Sequence, residues 1–538
     1  MKHLHESYWP ATFELLLAES TCGSVLRDAA ARDPDRIALI DADSPFGQRR
    51  QWTYAELLAD SERCARALSA KFFAGTHVAV WSANCPEWVI LQFGLALSGL
   101  VMVTVNPAYL VGELAYVLRQ SRAQAIFYER EYRGQNMLSA IDQACAIESI
   151  ELKLQICFDD FDEFIDSDSK SQALPAVQPS QPAMIQYTSG TTGLPKGALL
   201  NHYSVTNNAR FMAEVKAQDV STINLAVAPL FHTAGCVGGV LGSVQTGGTL
   251  LLPCAFDAES MLDLIEQEHV TYTFAVPTML IALLTAQANR PRDLSSLETV
   301  FSGGAIVPME IVKRVEAEFG ARLIIGYGQT ETSPAITHTR LTDSAADKSE
   351  TIGYAIPQVE IKIVDPETAA TQPVGTPGEL CTRGFLVMMG YFEMPDATAA
   401  TIDADGWLHT GDLCTMDSRG YCRITGRLKD MIIRGGENIY PREIEEIIYT
   451  HPDIADVAVI AIADDYWGEE VAAVVRFEAN CAISGELLRH FVGSKLARHK
   501  VPKHWFALAE IPTTASGKLQ KFKLVEQHRA GELEHARI

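Results

Sequence analysis

The stretch Ala183–Met212, AMIQYTSGTTGLPKGALLNHYSVTNNARFM, has the pattern of an apolar strand, a polar loop and a helix. Its loop, TSGTTGLPKG (188–197), combines three glycines, four hydroxyl side chains and a lysine. Glycines let backbone N–H groups point into an anion-binding concavity, and hydroxyls add hydrogen-bond donors. The loop is not a Walker A loop, because Pro-Lys-Gly replaces Gly-Lys-Ser/Thr. The stretch predicts a phosphate-binding loop, with an ordinary polar turn as the alternative.

Helical and strand patterns alternate over the residues around this loop. The segment YAELLADSERCARALSA (54–70) has helical spacing, and HVAVWS (77–82) is typical of a strand. Such alternation predicts an α/β fold of mostly parallel sheets covered by helices. Short strands and turns prevail after Gly353. We therefore expect a large N-terminal domain (1–428), β-rich at about 353–428, and a mobile small α+β C-terminal domain (429–538).

Composition narrows the functional classes. A net charge of −23 argues against a general nucleic-acid-binding protein, which would need a basic surface. The eleven cysteines show neither a C-x-x-C pair nor zinc spacing, which favours a reducing cytoplasm. The first residues lack the apolar segment of a signal peptide. The uncharged stretch 88–112 contains glycines and a proline, so it predicts a buried helix and strand rather than a transmembrane segment.

Six further motifs follow the pattern of one known family. They are PLFHTAG (229–235), SGGAI (302–306), GYGQTETSP (326–334), GWLHTGD (406–412), GRLKDMIIRGGENIYPREIE (426–445) and PTTASGKLQK (512–521). With the loop, and in this order, they resemble the adenylate-forming superfamily, which includes acyl-CoA synthetases, aryl-CoA ligases, luciferases and amino-acid adenylation domains. The resemblance implies that the loop binds the β- and γ-phosphates of ATP.

The resemblance also implies a nucleotide site. The residues expected to contact the phosphates are Thr188, Ser189, Gly190, Thr191, Thr192 and Lys196. The backbone of Gly304 and Ala305 would line the adenine, and Tyr327 would offer its flat face. Asp412 would accept both ribose hydroxyls, and Arg427 would close over the sugar or phosphate. Without the resemblance, Asp412 would more often be a turn residue.

Catalytic roles follow from the same motifs. Thr330 offers a hydroxyl to the α-phosphate, and Glu331 offers a hard oxygen ligand to Mg²⁺. Lys518 resembles the lysine that bridges the acid and the α-phosphate, where an ammonium lowers the cost of bringing two anions together. His232 matches a gating ring between the acyl pocket and the thiol tunnel. A core histidine and a surface lysine are the alternatives for His232 and Lys518.

The second half of the reaction is expected to use the small domain. Lys429 matches the family's hinge, and Gly435 and Gly436 would let the pantetheine arm of coenzyme A pass close to the backbone. The segment 489–523 holds eight Lys or Arg residues and one acid, Glu510. It is either a solvated helical face or a patch for the phosphates of coenzyme A. The glycine-rich run 238–242 suggests a roomy acyl pocket.

The resemblance therefore implies an ATP-dependent acyl-CoA synthetase. A carboxylic acid of the fatty or a related type and Mg·ATP would give an acyl-adenylate and pyrophosphate, and coenzyme A would then displace AMP. The alternatives are a ligase that loads a carrier-protein thiol and an inactive adenylate-binding module. The expected partners are the acid, ATP and coenzyme A in the cytoplasm, without nucleic acid or a transmembrane segment. A homodimer is possible.

Overall fold

Two large sheets form the centre of the N-terminal region. A computed structural model describes residues 4–43, 47–167, 173–188, 195–435, 437–464, 466–513 and 519–538. In these ranges the first sheet has the strand order Gly390–Tyr391, Lys196–Asn201, Pro182–Thr188, Val101–Val105, His77–Trp81, Ala125–Tyr128 and Leu154–Cys157. From Pro182–Thr188 to Leu154–Cys157 the neighbours run parallel. Their nearly continuous apolar composition fits burial on both faces.

The second sheet is also parallel through its centre. Its order is Tyr354–Ala355, Ala335–His338, Arg322–Gly328, Thr299–Gly303, Tyr272–Phe274, Ile223–Leu225, Thr249–Leu252, Ile37–Asp41 and Gln51–Thr53. Gly303 and Gly326 are partners on adjacent parallel strands. The segments that follow these two strands therefore leave the sheet at one edge, where ligands bind in open α/β sheets.

Helices fill the space between the sheets and cover their outer faces. The α-helices of the N-terminal region are Cys22–Arg32, Tyr54–Ser69, Pro86–Ser98, Val111–Gln120, Met137–Glu148, Phe161–Asp166, His202–Val215, Gly242–Thr246, Ala258–Glu268, Pro277–Asn289, Met309–Glu318, Ala345–Glu350 and Pro395–Ala399. A π-helix spans Ala234–Leu241. The prediction of sheets covered by helices is confirmed.

The uncharged stretch 88–112 folds as expected. Its helix Pro86–Ser98 begins with proline at a first-turn position and ends at Gly99, whose φ of 68° is left-handed. Strand Val101–Val105 follows and is buried throughout. Across the described ranges, the chain contains no helix with the length and apolarity needed to cross a bilayer.

A third, antiparallel sheet contains the β-rich part. Its order is Tyr8–Trp9, Val359–Val364, Gly378–Gly384, Leu408–Met416 and Cys422–Arg427. The first of these strands comes from near the start of the chain and pairs with Val359–Val364. The sequence did not predict this contribution, because a two-residue strand has no periodicity to detect. The hairpin predicted around Asp417–Gly420 joins the last two strands.

The C-terminal region forms its own small sheet. The order is Glu437–Ile439, Ile432–Arg434, Gly468–Phe477 and Ile454–Asp464, with His504–Ala507 parallel to Gly468–Phe477. Its α-helices are Pro441–Tyr449, Gly485–Gly493 and Lys521–Arg529. This is the predicted α+β composition. The boundary at 428/429 stays a prediction.

Candidate active site

The predicted phosphate loop joins two antiparallel strands. Thr188 ends one strand, Lys196 begins the next, and the two residues are partners across the ladder. The predicted strand and helix are both present, and the structure adds a strand, Lys196–Asn201, between the loop and the helix that begins at His202. The residues before His202 form a strand that pairs with Pro182–Thr188 on one side and with Gly390–Tyr391 on the other. This pairing satisfies the hydrogen bonds of their backbone. Outside the described residues lie Ser189, Gly190, Thr191 and Thr192.

A tyrosine connects the loop lysine to Glu331. The Lys196 Nζ lies 4.9 Å from the centre of the Tyr391 ring. The Tyr391 hydroxyl donates a hydrogen bond of 2.7 Å to Glu331 Oε1. Burial, followed by the charge of Glu331, raises the pKa of Tyr391 above its usual value, so the hydroxyl remains a donor. Sequence reasoning missed Tyr391, because nothing in MMGYFEMP (388–395) marks it.

The donor set at Glu331 fits a magnesium ion. Its carboxylate is a hard oxygen ligand that Tyr391 orients through one oxygen. Mg²⁺ is commonly held by one or two protein carboxylates together with phosphates and waters. Thr330 precedes Glu331 in the same 3₁₀ turn, Thr330–Thr332. The Thr332 hydroxyl anchors this turn by accepting from Gln329 N (3.0 Å) and donating to Pro334 O (2.7 Å).

Asp412 is the centre of a second polar cluster. It is 5% exposed and lies opposite Arg427 in the antiparallel pair. The Arg427 Nε donates to Asp412 Oδ1 over 3.0 Å. The Tyr327 hydroxyl and the Gln329 Nε2 donate to Oδ2 over 2.6 Å and 3.2 Å. The structure therefore brings together three residues that the sequence placed around the nucleotide sugar and base.

This cluster is nearly saturated with hydrogen bonds. A carboxylate has about four acceptor positions, and protein donors fill three at Asp412. Burial, followed by the charge of Asp412, raises the pKa of Tyr327 well above its usual value, so that hydroxyl stays a donor. A ribose that presents two hydroxyls must displace one protein donor. Gln329 was missed as a site residue, although it lies inside the motif GYGQTETSP.

Close approach of neighbouring backbone segments explains why positions 303 and 328, near Tyr327, are glycines. A Cβ atom at Gly303 would lie 2.6 Å from Gly326 O, and one at Gly328 would lie 1.9 Å from Pro334 O. Gly304 and Ala305 follow the strand Thr299–Gly303 and are exposed. They emerge beside Tyr327, as an adenine wall requires. Their role stays a prediction.

His232 lies at the start of the π-helix Ala234–Leu241. Its backbone oxygen accepts from Gly235 N (2.9 Å) and Cys236 N (3.0 Å), and its ring lies 4.8 Å from that of Phe231. The residue is partly exposed rather than enclosed in the core. π-helical turns occur frequently at functional sites. The gating role assigned to His232 stays a prediction.

Gly435 belongs to the small sheet and contacts Trp467. Its amide donates to Trp467 O over 2.9 Å, its φ is +59°, and a Cβ there would lie 2.5 Å from the indole ring. Lys429 lies in the 3₁₀ turn Leu428–Asp430, directly after the strand that carries Arg427. Gly436 and Lys518 lie outside the described residues. The roles expected of Lys518 in the first step and of Lys429, Gly435 and Gly436 in the second stay predictions.

The basic segment 489–523 is partly neutralised by acids from other elements. Lys500 pairs with Glu443 (2.6 Å), Lys503 with Asp464 (3.2 Å), and Lys521 with Glu445 (2.6 Å). A free electropositive patch would leave these ammonium groups open to a ligand. The ion pairs favour the interpretation as a solvated face.

A cluster that the sequence did not predict supports the strand of Asp412. His409 Nδ1 lies 2.7 Å from Glu379 Oε2 and 3.5 Å from Cys381 Sγ. Glu379 Oε1 also accepts from Gly411 N over 3.0 Å. Neighbouring strands bring these side chains together, so no spacing in the sequence reveals them. Because Gly411 directly precedes Asp412, the cluster holds the backbone from which the carboxylate projects.

Comparisons with known proteins identify the family of this chain. The AMP-binding enzyme family matches residues 26–392, and the AMP-binding enzyme C-terminal domain matches residues 443–518. The chain belongs to the AMP-binding enzyme family. The protein YngI of Bacillus subtilis is 40% identical over 95% of this chain and 97% of its own. The human mitochondrial medium-chain acyl-CoA ligase ACSF2 is 34% identical over 95% of this chain and 88% of its own.

Solved structures of the family have the same fold. ATP-bound MatB from Rhodopseudomonas palustris has a TM-score of 0.86 and 28% identity, over 95% of this chain and 99% of its own. The o-succinylbenzoate CoA synthetase MenE of Bacillus subtilis, in complex with its acyl-adenylate, has a TM-score of 0.82 and 28% identity, over 94% and 98%. The chain is an AMP-forming carboxylic acid–CoA ligase of the adenylate-forming superfamily and uses ATP.

Proposed function

We propose that the enzyme joins a fatty or related carboxylic acid to coenzyme A, and that the residues around Asp412 and Glu331 perform the nucleotide chemistry. The observation that carries this proposal is the buried Asp412 carboxylate, held by Tyr327, Gln329 and Arg427. Acceptors and cationic groups that meet near the end of the strand Arg322–Gly328 suit the ribose and phosphates of ATP.

In the first step a carboxylate oxygen of the acid attacks the α-phosphorus, and the bond from that phosphorus to the pyrophosphate oxygen breaks. Lys518 would place its ammonium between the two anions, and Thr330 would donate to an α-phosphate oxygen. Lys196 would stabilise the leaving pyrophosphate. When bound at Glu331, Mg²⁺ would neutralise part of the phosphate charge.

In the second step the thiol sulfur of coenzyme A attacks the carbonyl carbon, AMP leaves with the bridging oxygen, and the thiol proton is released. We assign the change between steps to a rotation of the small domain about Lys429, since hinges are a few residues that absorb large torsion changes. Gly435 and Gly436 would line the pantetheine path. His232 would separate it from the acyl cleft.

Relatives named medium-chain acyl-CoA ligases support an acid of the fatty type. We propose Mg²⁺ as the metal ion that accompanies ATP and coenzyme A as the acceptor of the acyl group. We place the enzyme in the cytoplasm, where a reducing environment suits the free cysteines of the described ranges.

The decisive experiment measures pyrophosphate release with a panel of acids, followed by AMP release with and without coenzyme A. The proposal predicts acid-dependent pyrophosphate release, and AMP release that requires coenzyme A. AMP release without a thiol, or only with a carrier protein, would overturn the choice of acceptor. Binding of ATP with no pyrophosphate release in the presence of any acid would identify an inactive module.

A further inference from the structure

Lys216 is a buried lysine whose ammonium has no carboxylate partner within the described residues. It follows the helix His202–Val215 and is 4% exposed. The Nζ lies 5.0 Å from the ring centres of both Tyr272 and Phe301. Burial lowers the pKa of Lys216 to about 7. Because lysine is almost never fully buried unless paired, this position requires an explanation.

A second buried lysine shows how the fold treats such a group elsewhere. Lys348 is 2% exposed, its Nζ lies 2.6 Å from Glu316, and it also donates to Leu341 O over 3.1 Å. The pair supplies the counter-charge that burial demands. At Lys216 the rings of Tyr272 and Phe301 lie beside the ammonium instead. The fold therefore supplies no carboxylate to this ammonium within the described residues.

The position of Lys216 connects it to the nucleotide edge. Phe301 precedes Gly303 by two residues, roughly 7 Å along the strand. Its ring fills the space over Gly326, where a Cβ atom would lie 2.1 Å away. Gly326 directly precedes Tyr327 of the site. One aromatic ring thus separates the Lys216 ammonium from the edge where the acyl-adenylate would form.

Aromatic side chains lie on the same face of the second sheet. Phe274 and Phe301 are partners on adjacent strands, their rings lie 6.1 Å apart, and both are partly exposed. The π-helix covers this face, since a Cβ at Gly239 would lie 3.7 Å from the Cβ of Ala226. The π-helix begins directly after Thr233, which follows His232. The face between the nucleotide edge and Lys216 is therefore apolar.

Gln218 is a second buried polar residue, two positions after Lys216 in the chain. It is 9% exposed, and both its side-chain oxygen and its side-chain nitrogen are buried without a hydrogen-bond partner in the described part of the chain. A Cβ at Gly242, where the π-helix ends, would lie 3.8 Å from Gln218 Oε1. Unmet hydrogen bonds on a buried amide are costly unless a ligand satisfies them.

We propose that Lys216, assisted by Gln218, binds a polar group at the far end of the acid, and that the preferred class is acids with a second, terminal carboxylate. The inference rests on the proposed function and specifies its substrate class. The reacting carboxylate would lie at the nucleotide edge, the methylene chain over Phe274 and Phe301, and the second carboxylate against the ammonium. Such a charge-assisted pair is stronger than a neutral hydrogen bond.

The test compares acids of matched length that differ only at the far end. Coenzyme A-dependent AMP release is measured for hexanoic and hexanedioic, octanoic and octanedioic, and decanoic and decanedioic acids. Lys216→Met should lower the ratio of kcat/KM for the diacid to that for the monoacid by about tenfold or more at the preferred length. Lys216→Arg should restore part of this ratio. Gln218→Leu should lower it less.

Lys348→Met is the matched control, because it removes an equally buried but paired lysine. It should destabilise the protein and leave the ratio unchanged. A ratio that changes less than about twofold in Lys216→Met and in Gln218→Leu (roughly 0.4 kcal/mol) would overturn the inference. Failure of the wild type to use any diacid would overturn it as well. If no acid of either series supports AMP release, the proposed function itself fails.

Discussion

Asp412 and Lys216 are both buried charged groups, yet the fold surrounds them differently. Three donors from two segments, Arg427 and the pair Tyr327 and Gln329, contact the carboxylate of Asp412. The rings of Tyr272 and Phe301 lie beside the ammonium of Lys216, which pairs with no carboxylate in the described structure. The first group is organised before any ligand binds. The second lacks the partner that burial would normally demand.

Under the proposed function, the contrast between Asp412 and Lys216 corresponds to recognition of ATP by the first residue and of the acid by the second. ATP is the same in every turnover, so a fixed arrangement of donors and acceptors lowers the reorganisation needed during the reaction. The acid distinguishes one enzyme of the family from another, and an unpaired buried charge selects for the ligand that completes it. The largest effects should come from the nucleotide side, where chemistry occurs, and smaller ones from the acyl side.

The greatest loss is expected from Lys518→Ala. It should reduce acid-dependent pyrophosphate release by about 100- to 1,000-fold, because the ammonium acts while charge develops at phosphorus. Thioester formation from pre-made acyl-adenylate should be spared. Lys521→Ala, which breaks the pair with Glu445, is the control and should affect both steps alike. Equal loss of both steps in Lys518→Ala would assign that lysine to folding.

Asp412→Asn should break the organised cluster. Loss of the charge that holds Arg427 and the ribose should lower kcat/KM for ATP about 100-fold, since hydrogen bonds to charged groups are each worth about 1.5–3 kcal/mol. Steady-state kinetics with varied ATP measure this. Asp405→Asn, at an exposed site in the same β-rich part, is the control. A change within about twofold would remove Asp412 from the nucleotide site.

Glu331→Gln should lower the rate at saturating Mg·ATP by about tenfold or more, because one formal charge at the metal disappears. The midpoint of thermal unfolding should stay the same, since glutamine can still accept from Tyr391. Tyr391→Phe, which keeps the charge and loses the orienting bond, should have a smaller effect. If Tyr391→Phe is the more damaging of the two, Glu331 does not bind the metal.

The smallest effect concerns the contribution of Lys216 to the stability of the protein. The pKa of Lys216 falls from 10.5 to about 7 on burial. Between those values the unfolded chain holds a proton that the folded chain releases, so stability rises with pH, by up to about 1.4 kcal/mol per unit. Below pH 7 both states are protonated and the penalty is complete. Denaturant unfolding of Lys216→Met at pH 7, 8 and 9 should lack this rise; an identical slope would show that Lys216 does not titrate there.

The sequence allowed the parallel sheets, the α+β composition of the C-terminal region and the grouping of Tyr327, Asp412 and Arg427 to be predicted, because periodicity and motif residues are local properties. Gln329 lies inside a predicted motif but was missed, whereas Tyr391 contacts Lys196 and Glu331 only through folding and carries no spacing signal. The same holds for Glu379 and His409, which meet across strands. The strand Lys196–Asn201 between the phosphate loop and the predicted helix was missed, because its pairing with strands on both sides is a tertiary property.

Transfer of an oxygen atom from the acid to AMP tests the central claim most directly. The wild-type enzyme is incubated with ATP, coenzyme A and an acid labelled with ¹⁸O in its reacting carboxylate, and the products are analysed by mass spectrometry. If that carboxylate attacks the α-phosphorus and the thiol then attacks the carbonyl carbon, AMP must retain one labelled oxygen for each thioester formed. Unlabelled AMP, or label in pyrophosphate or inorganic phosphate, would contradict the acyl-adenylate route.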